Sequence, residues 1–120
     1  MIDDYRKGWA LRYIREAKDE LEASHKTSQP LGLIVDAARK AQAAIYFSLG
    51  DPPTIESIVS EVPNDLKVIE TPTLRCLVEI ERSLRRMESL LPSAYEEALK
   101  EANEIVRVAS EIVDLMACGD

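Results

Sequence analysis

The 120 residues suffice for one domain spanning 1–120 and are too few for two of ordinary size. Hydrophobic residues at 46% argue for a packed core, and aromatics at only 5% leave Leu, Ile, Val and Ala to fill it. The net charge of −7 falls mostly in the second half, where residues 61–120 carry 13 acidic and 7 basic side chains against 9 and 8 in residues 1–60, so generic nucleic-acid binding is not expected.

The first helix is expected from about Asp4 to Ser24. Trp9, Ala10, Tyr13, Ile14, Ala17 and Leu21 recur at three- and four-residue steps and form one stripe. Asp3 and Asp4 complement its dipole, and Arg12 and Glu16 are a four-residue ion pair on its outer face. After the polar link HKTSQ, Pro30 opens a second helix at the position where a missing N–H costs nothing. Its inward set is Leu31, Ile34, Val35, Ala38, Ala41, Ile45 and Leu49, and Gly50 is expected to end it in a left-handed conformation.

Asp51-Pro52-Pro53-Thr54 restarts a short helix through Ile55, Ile58 and Val59. The stretch EVPNDLKVIET, residues 61–71, reads as either a helical turn or an extended link. Thr71-Pro72 opens another helix to about Leu91, with Leu77, Ile80, Leu84, Met87 and Leu91 inward. Ser93 and Glu96 have capping-box spacing. The last helix then repeats Tyr95, Ala98, Ala102, Ile105, Ala109, Ile112 and Met116 in heptads, the pattern of shallow helix packing. These stripes predict an all-α fold: an antiparallel up-and-down four-helix bundle with a short additional helix.

Little here commits the chain to a reaction. His25 is the only histidine, placed at the end of the first helix, where an imidazolium favours the dipole. Cys76 and Cys118 form no CxxC, so neither a zinc site nor a disulfide framework is expected. The glycines are isolated, which excludes a phosphate loop or dinucleotide fingerprint. We therefore expect no catalytic residue, no metal and no cofactor. The rival enzyme reading is a magnesium-dependent nucleotide pyrophosphohydrolase, which needs Glu-x-x-Glu and Glu-x-x-Asp on neighbouring helices. Glu101-x-x-Glu104 and Glu111-x-x-Asp114 fit the spacing but fall on one helix, off its apolar stripe. The basic cluster Arg82, Arg85 and Arg86 is interleaved with Glu79, Glu81 and Glu88, and reads as a paired helix surface.

Ala10-x-x-Tyr13-Ile14-x-x-Ala17-x-x-x-Leu21-Glu22, a short link, then Ala37-Ala38-x-x-Ala41-x-x-Ala44-Ile45 ending in Leu49-Gly50 resembles the front half of HEPN domains. The closing EEALKEANEIVRVASEIVDLM is similar to the last helix of that group. Small archaeal helical families of unassigned function show a similar first pair of helices. The HEPN resemblance implies a small, often dimeric bundle, found beside minimal nucleotidyltransferases. Its ribonuclease motif, Arg-x(4–6)-His, is absent here, so no catalytic residue carries over.

An excess of apolar positions points instead to association. Val35, Tyr46 and Phe47 widen the second helix's arc, and Leu99, Val106 and Val113 form a second row on the last. These six are the expected interface of a homodimer, or of a companion complex with a partner such as a nucleotidyltransferase. The opening MIDDYRKGWALRY starts acidic and lacks the apolar stretch of a signal peptide, and no run approaches a membrane span. A cytoplasmic protein with no membrane partner is the expectation.

Overall fold

The computed structural model describes residues 3–62 and 71–117. These fold into five α-helices: α1 (Asp4–Ser24), α2 (Leu31–Leu49), α3 (Pro52–Ser60), α4 (Pro72–Glu88) and α5 (Tyr95–Ala117). A 3-10 turn, Pro92–Ala94, leads into α5, and no strand occurs among the described residues. Most of the stretch read as EVPNDLKVIET, residues 63–70, lies outside the described residues, as does Cys118.

The all-α expectation holds, and the local reasons are visible at the helix ends. Asp3 stands in extended conformation before α1, and its Oδ1 accepts from the Arg6 backbone N–H at 2.8 Å. Pro52 and Pro53 fill the first positions of α3, and Pro72 the first of α4. Pro30 flanks α2 rather than opening it, with its carbonyl accepting from Ile34 at 3.0 Å.

Three local expectations are corrected. Gly50 ends α2 in extended backbone, φ 173°, not in a left-handed turn, because the chain must run straight into the Pro52 restart. The fourth helix stops at Glu88. Ser89 and Leu90 turn tightly onto the Arg86 and Met87 carbonyls, leaving Leu91 extended and 72% exposed. Ser93 falls within the 3-10 turn instead of capping α5.

Helix α2 is the hub. It packs along α1 and α5, meets α4 and α3 as well, and α1 also touches α5. Its inner surface carries Ala37, Ala38, Ala41 and Ala44, all fully buried, facing Ala10 and Ala17 of α1 and Ala98, Ala102 and Ala109 of α5 within one core. Side chains this small let three backbones approach closely. Helix α4 keeps a wider spacing and is held by larger groups: Leu77, Val78, Ile80, Leu84 and Met87.

The buried row of α5 is Ala98, Ala102, Ile105, Val106, Ala109 and Val113, so the heptad expectation fails in its second half. Ile112 and Met116 are only partly buried, and Tyr95 is exposed. A straight helix drifts about 20° per heptad against a strict seven-residue repeat. The seam therefore passes from Ile105 to Val106 and Val113.

Ser48 is buried on α2, and its hydroxyl has no hydrogen-bond partner among the described residues. Ser48→Ala removes an unsatisfied group without changing the packing outline. Thermal unfolding should show the variant more stable than the parent by about 1 kcal/mol; a loss of similar size would mean the hydroxyl is satisfied.

Candidate functional site

Two regions gather side chains beyond what the core needs. The first is an aromatic strip along α1 that continues onto the end of α2. Tyr5, Trp9 and Tyr13 follow one another at four-residue steps, so they share a flank of α1. Phe47 lies parallel to both Trp9 and Tyr13, with ring centroids 6.1 and 5.9 Å away. Tyr5 meets Trp9 edge-on at 6.5 Å and is 72% exposed, and the Arg12 guanidinium lies 5.1 Å from the Trp9 ring. An open groove beside Tyr5 and Phe47 is completed by Pro52 and Pro53.

The same face turns charged toward its other end. Lys40 of α2 reaches Glu20, Glu16 and Asp36 at 2.5, 3.2 and 3.5 Å, and Glu16 also accepts from Arg12 at 2.8 Å. Burial, with Asp36 beside it, raises the Glu20 carboxyl; a hydrogen bond from Glu20 lowers that of Asp36. Glu20 is thus the member that holds a proton to higher pH. Glu20, followed by Glu16, raises the Lys40 ammonium, which stays charged among them. Among the described residues no group of three or more His, Cys, Asp or Glu is arranged to hold a metal ion.

The second region is a cavity of about 440 Å³ between α2, α3 and α4. Arg39 and Gln42 stand on one flank of α2, with Tyr46 a turn further on. Gln42 Nε2 donates to Tyr46 Oη at 3.0 Å and to Glu81 Oε1 at 2.7 Å, while its oxygen accepts from Arg39 Nη1 at 3.0 Å. Arg39 also pairs with Glu81 at 2.9 Å and with Glu88 at 2.6 Å, and Arg85 Nε donates to Glu81 Oε2 at 2.9 Å. Burial pushes the Tyr46 phenol up to about 12, with Glu81 adding to the shift, so it remains a neutral donor at physiological pH. Burial works to raise Glu81, but hydrogen bonds from Gln42, Arg39 and Arg85 outweigh it and hold the carboxyl below its ordinary value.

The six expected interface residues do not form one patch. Tyr46, Val106 and Val113 are buried by this chain's own helices and offer a second copy almost no surface. Val106 and Val113 of the second row on α5 are thus part of the core seam, for the drift given above. Val35, Phe47 and Leu99 remain partly exposed, and of these Phe47 joins the aromatic strip. Leu99 instead borders a small cavity with His25 and Ile34 near the end of α1.

Three of the four α5 carboxylates with the pyrophosphohydrolase spacing are engaged locally. Glu104 and Glu111 both pair with Arg107, the latter at 2.9 Å, and Glu101 pairs with Arg86 of α4 at 3.2 Å. Asp114 is exposed on the same helix. Cys76 is half-buried on α4, and burial, aided by Glu79, pushes its thiol up, away from the reactive thiolate form. No helix among the described residues is long and apolar enough to cross a membrane.

Compared with known proteins, the chain matches no family model, no curated protein and no solved structure.

Proposed function

We propose that the chain works without a reaction of its own, as a HEPN-like antiparallel up-and-down bundle that pairs with a second copy of itself in the cytoplasm. The observation that carries this reading is the aromatic strip. Tyr5, Trp9, Tyr13 and Phe47 are four of the chain's six aromatic side chains, gathered on one face with Tyr5 largely exposed. Aromatic groups concentrate where proteins associate, and an exposed ring of this kind is costly in a protein that stays alone.

The face is large enough. A helix of the 21 residues of α1 runs about 30 Å, and two adjacent helices about 20 Å across, giving a footprint of some 600 Å². That approaches the roughly 800 Å² each partner gives to a standard interface. The Lys40 cluster and Arg12 supply a polar rim, and Ala43, one turn before Phe47, keeps the middle of the α2 face low.

Light scattering on a sizing column at micromolar concentration tests the proposal. The expected mass is twice 13.4 kDa. Tyr5→Glu and Ala43→Glu should each weaken the dimer about tenfold or more, because each puts a charge into the contact, while leaving the melting temperature of the monomer nearly unchanged. A clean monomer at every concentration sinks the dimer. If the chain is monomeric alone but co-purifies with a nucleotidyltransferase through the same face, the companion role replaces it.

A further inference from the structure

Most polar groups around the α2–α3–α4 cavity are occupied with one another. Arg39 donates through all three guanidinium nitrogens, Gln42 uses both its oxygen and its amide nitrogen, and Glu81 accepts on both oxygens. Three groups at the same cavity are not so occupied. Tyr46 Oη accepts from Gln42, but its own proton meets no acceptor among the described residues, although the side chain is only 6% exposed. Arg85 lines the cavity and uses Nε on Glu81, which leaves its two terminal nitrogens without a protein acceptor among the described residues. Glu56, exposed on α3, lines the cavity and makes no ion pair among the described residues.

A buried hydroxyl proton without an acceptor is unfavourable, and donation from Gln42 keeps the hydroxyl in place. Two donors and one acceptor thus face a space of about 440 Å³, within the size range of small-molecule sites. The two arginines and two carboxylates that line it cancel in charge. A simple anion meets repulsion from Glu56, Glu81 and the nearby Glu88. A simple cation leaves the Tyr46 and Arg85 donors unused. A molecule carrying both charges satisfies all three groups. We infer that this cavity binds a small zwitterion of the amino-acid type, its carboxylate on Tyr46 Oη–H and the Arg85 guanidinium, its ammonium toward Glu56.

The test is a titration of the isotope-labelled full chain with glycine and L-glutamine, and separately with acetate and methylamine, each to about 10 mM, where a millimolar Kd registers. The Gln42 side-chain amide and Arg85 Nε–H resonances report on the cavity. Saturable shifts are expected with at least one amino acid, and much weaker ones with acetate or methylamine, which each supply half of the ligand. Tyr46→Phe and Glu56→Gln should each weaken binding about tenfold, the effect of one hydrogen bond to a charged group. Tyr46→Phe also removes an acceptor that Gln42 uses, so its unfolding is measured in parallel. Glu56→Gln, at an exposed position, carries the test if that variant is unstable. The inference is overturned if neither amino acid gives a saturable shift, if acetate binds as tightly as glycine, or if Glu56→Gln leaves binding unchanged.

Discussion

Leu84→Ala is expected to destabilise the protein by about 3 kcal/mol and to lower its melting temperature by about 10 °C. Leu84 is fully buried on α4, and its loss leaves a cavity as well as removing transfer free energy. The position matters because α4 lacks the close alanine contacts that join α1, α2 and α5. It is held by side chains such as Leu84 and Met87 reaching across a wider gap. Hydrogen exchange distinguishes two outcomes. If α4 is a separate cooperative unit, amides of α4 should lose protection in Leu84→Ala well before those of α2. Equal loss in both helices would show that the five helices unfold as one.

Glu81→Ala is expected to cost about 2 kcal/mol near neutral pH, since it removes one of the two carboxylates paired with Arg39 and leaves a Gln42 amide donor short of an acceptor in a half-buried place. The pH dependence has a definite sign. The folded-state pKa of Glu81 lies below its ordinary 4.5, so its contribution is present above that value and fades as pH falls through the lowered folded value. Urea unfolding of parent and variant should therefore converge in strong acid, separate as pH rises through the lowered folded value, and reach their full difference above about 4.5. A difference that stays constant with pH would assign the loss to packing instead. Arg39→Met combined with Glu81→Leu should recover much of the single-variant loss, because the buried charges leave together.

Much of the fold was legible because the apolar stripes are clean and the helix starts carry chemistry. Asp3 before α1, the proline pair that opens α3 and Thr71-Pro72 at the start of α4 each mark a start within a residue of its place. What failed had a physical cause that spacing does not encode. The α5 seam slid from Ile112 to Val113 because helical twist accumulates over three heptads. That slide turned Val106 and Val113 from an expected interface into core.

Of the candidate regions, the strip was half visible. Three consecutive large residues, Ile45, Tyr46 and Phe47, cannot all enter one groove, and the helix resolves this by sending Tyr46 toward Gln42 and Phe47 toward Trp9. The Arg39–Gln42–Tyr46 row had a signal in its three- and four-residue steps, but its meaning depends on Glu81, which is 39 positions from Gln42. Only the relative placement of α2 and α4 brings them together.

The hub position of α2 also bears on how the chain reaches this state. Its largest contact is with α1, joined to it by the short link 25–30, so the first hairpin closes with little loop entropy. The other large contact, with α5, must wait until the chain returns from far along the sequence. A folding nucleus in the α1–α2 hairpin follows, with substitutions at Ala17 or Ala41 slowing refolding, and with those at Leu84 chiefly speeding unfolding. During synthesis the hairpin emerges before α5, so the alanine surface of α2 that α5 will cover stands exposed until α5 is made.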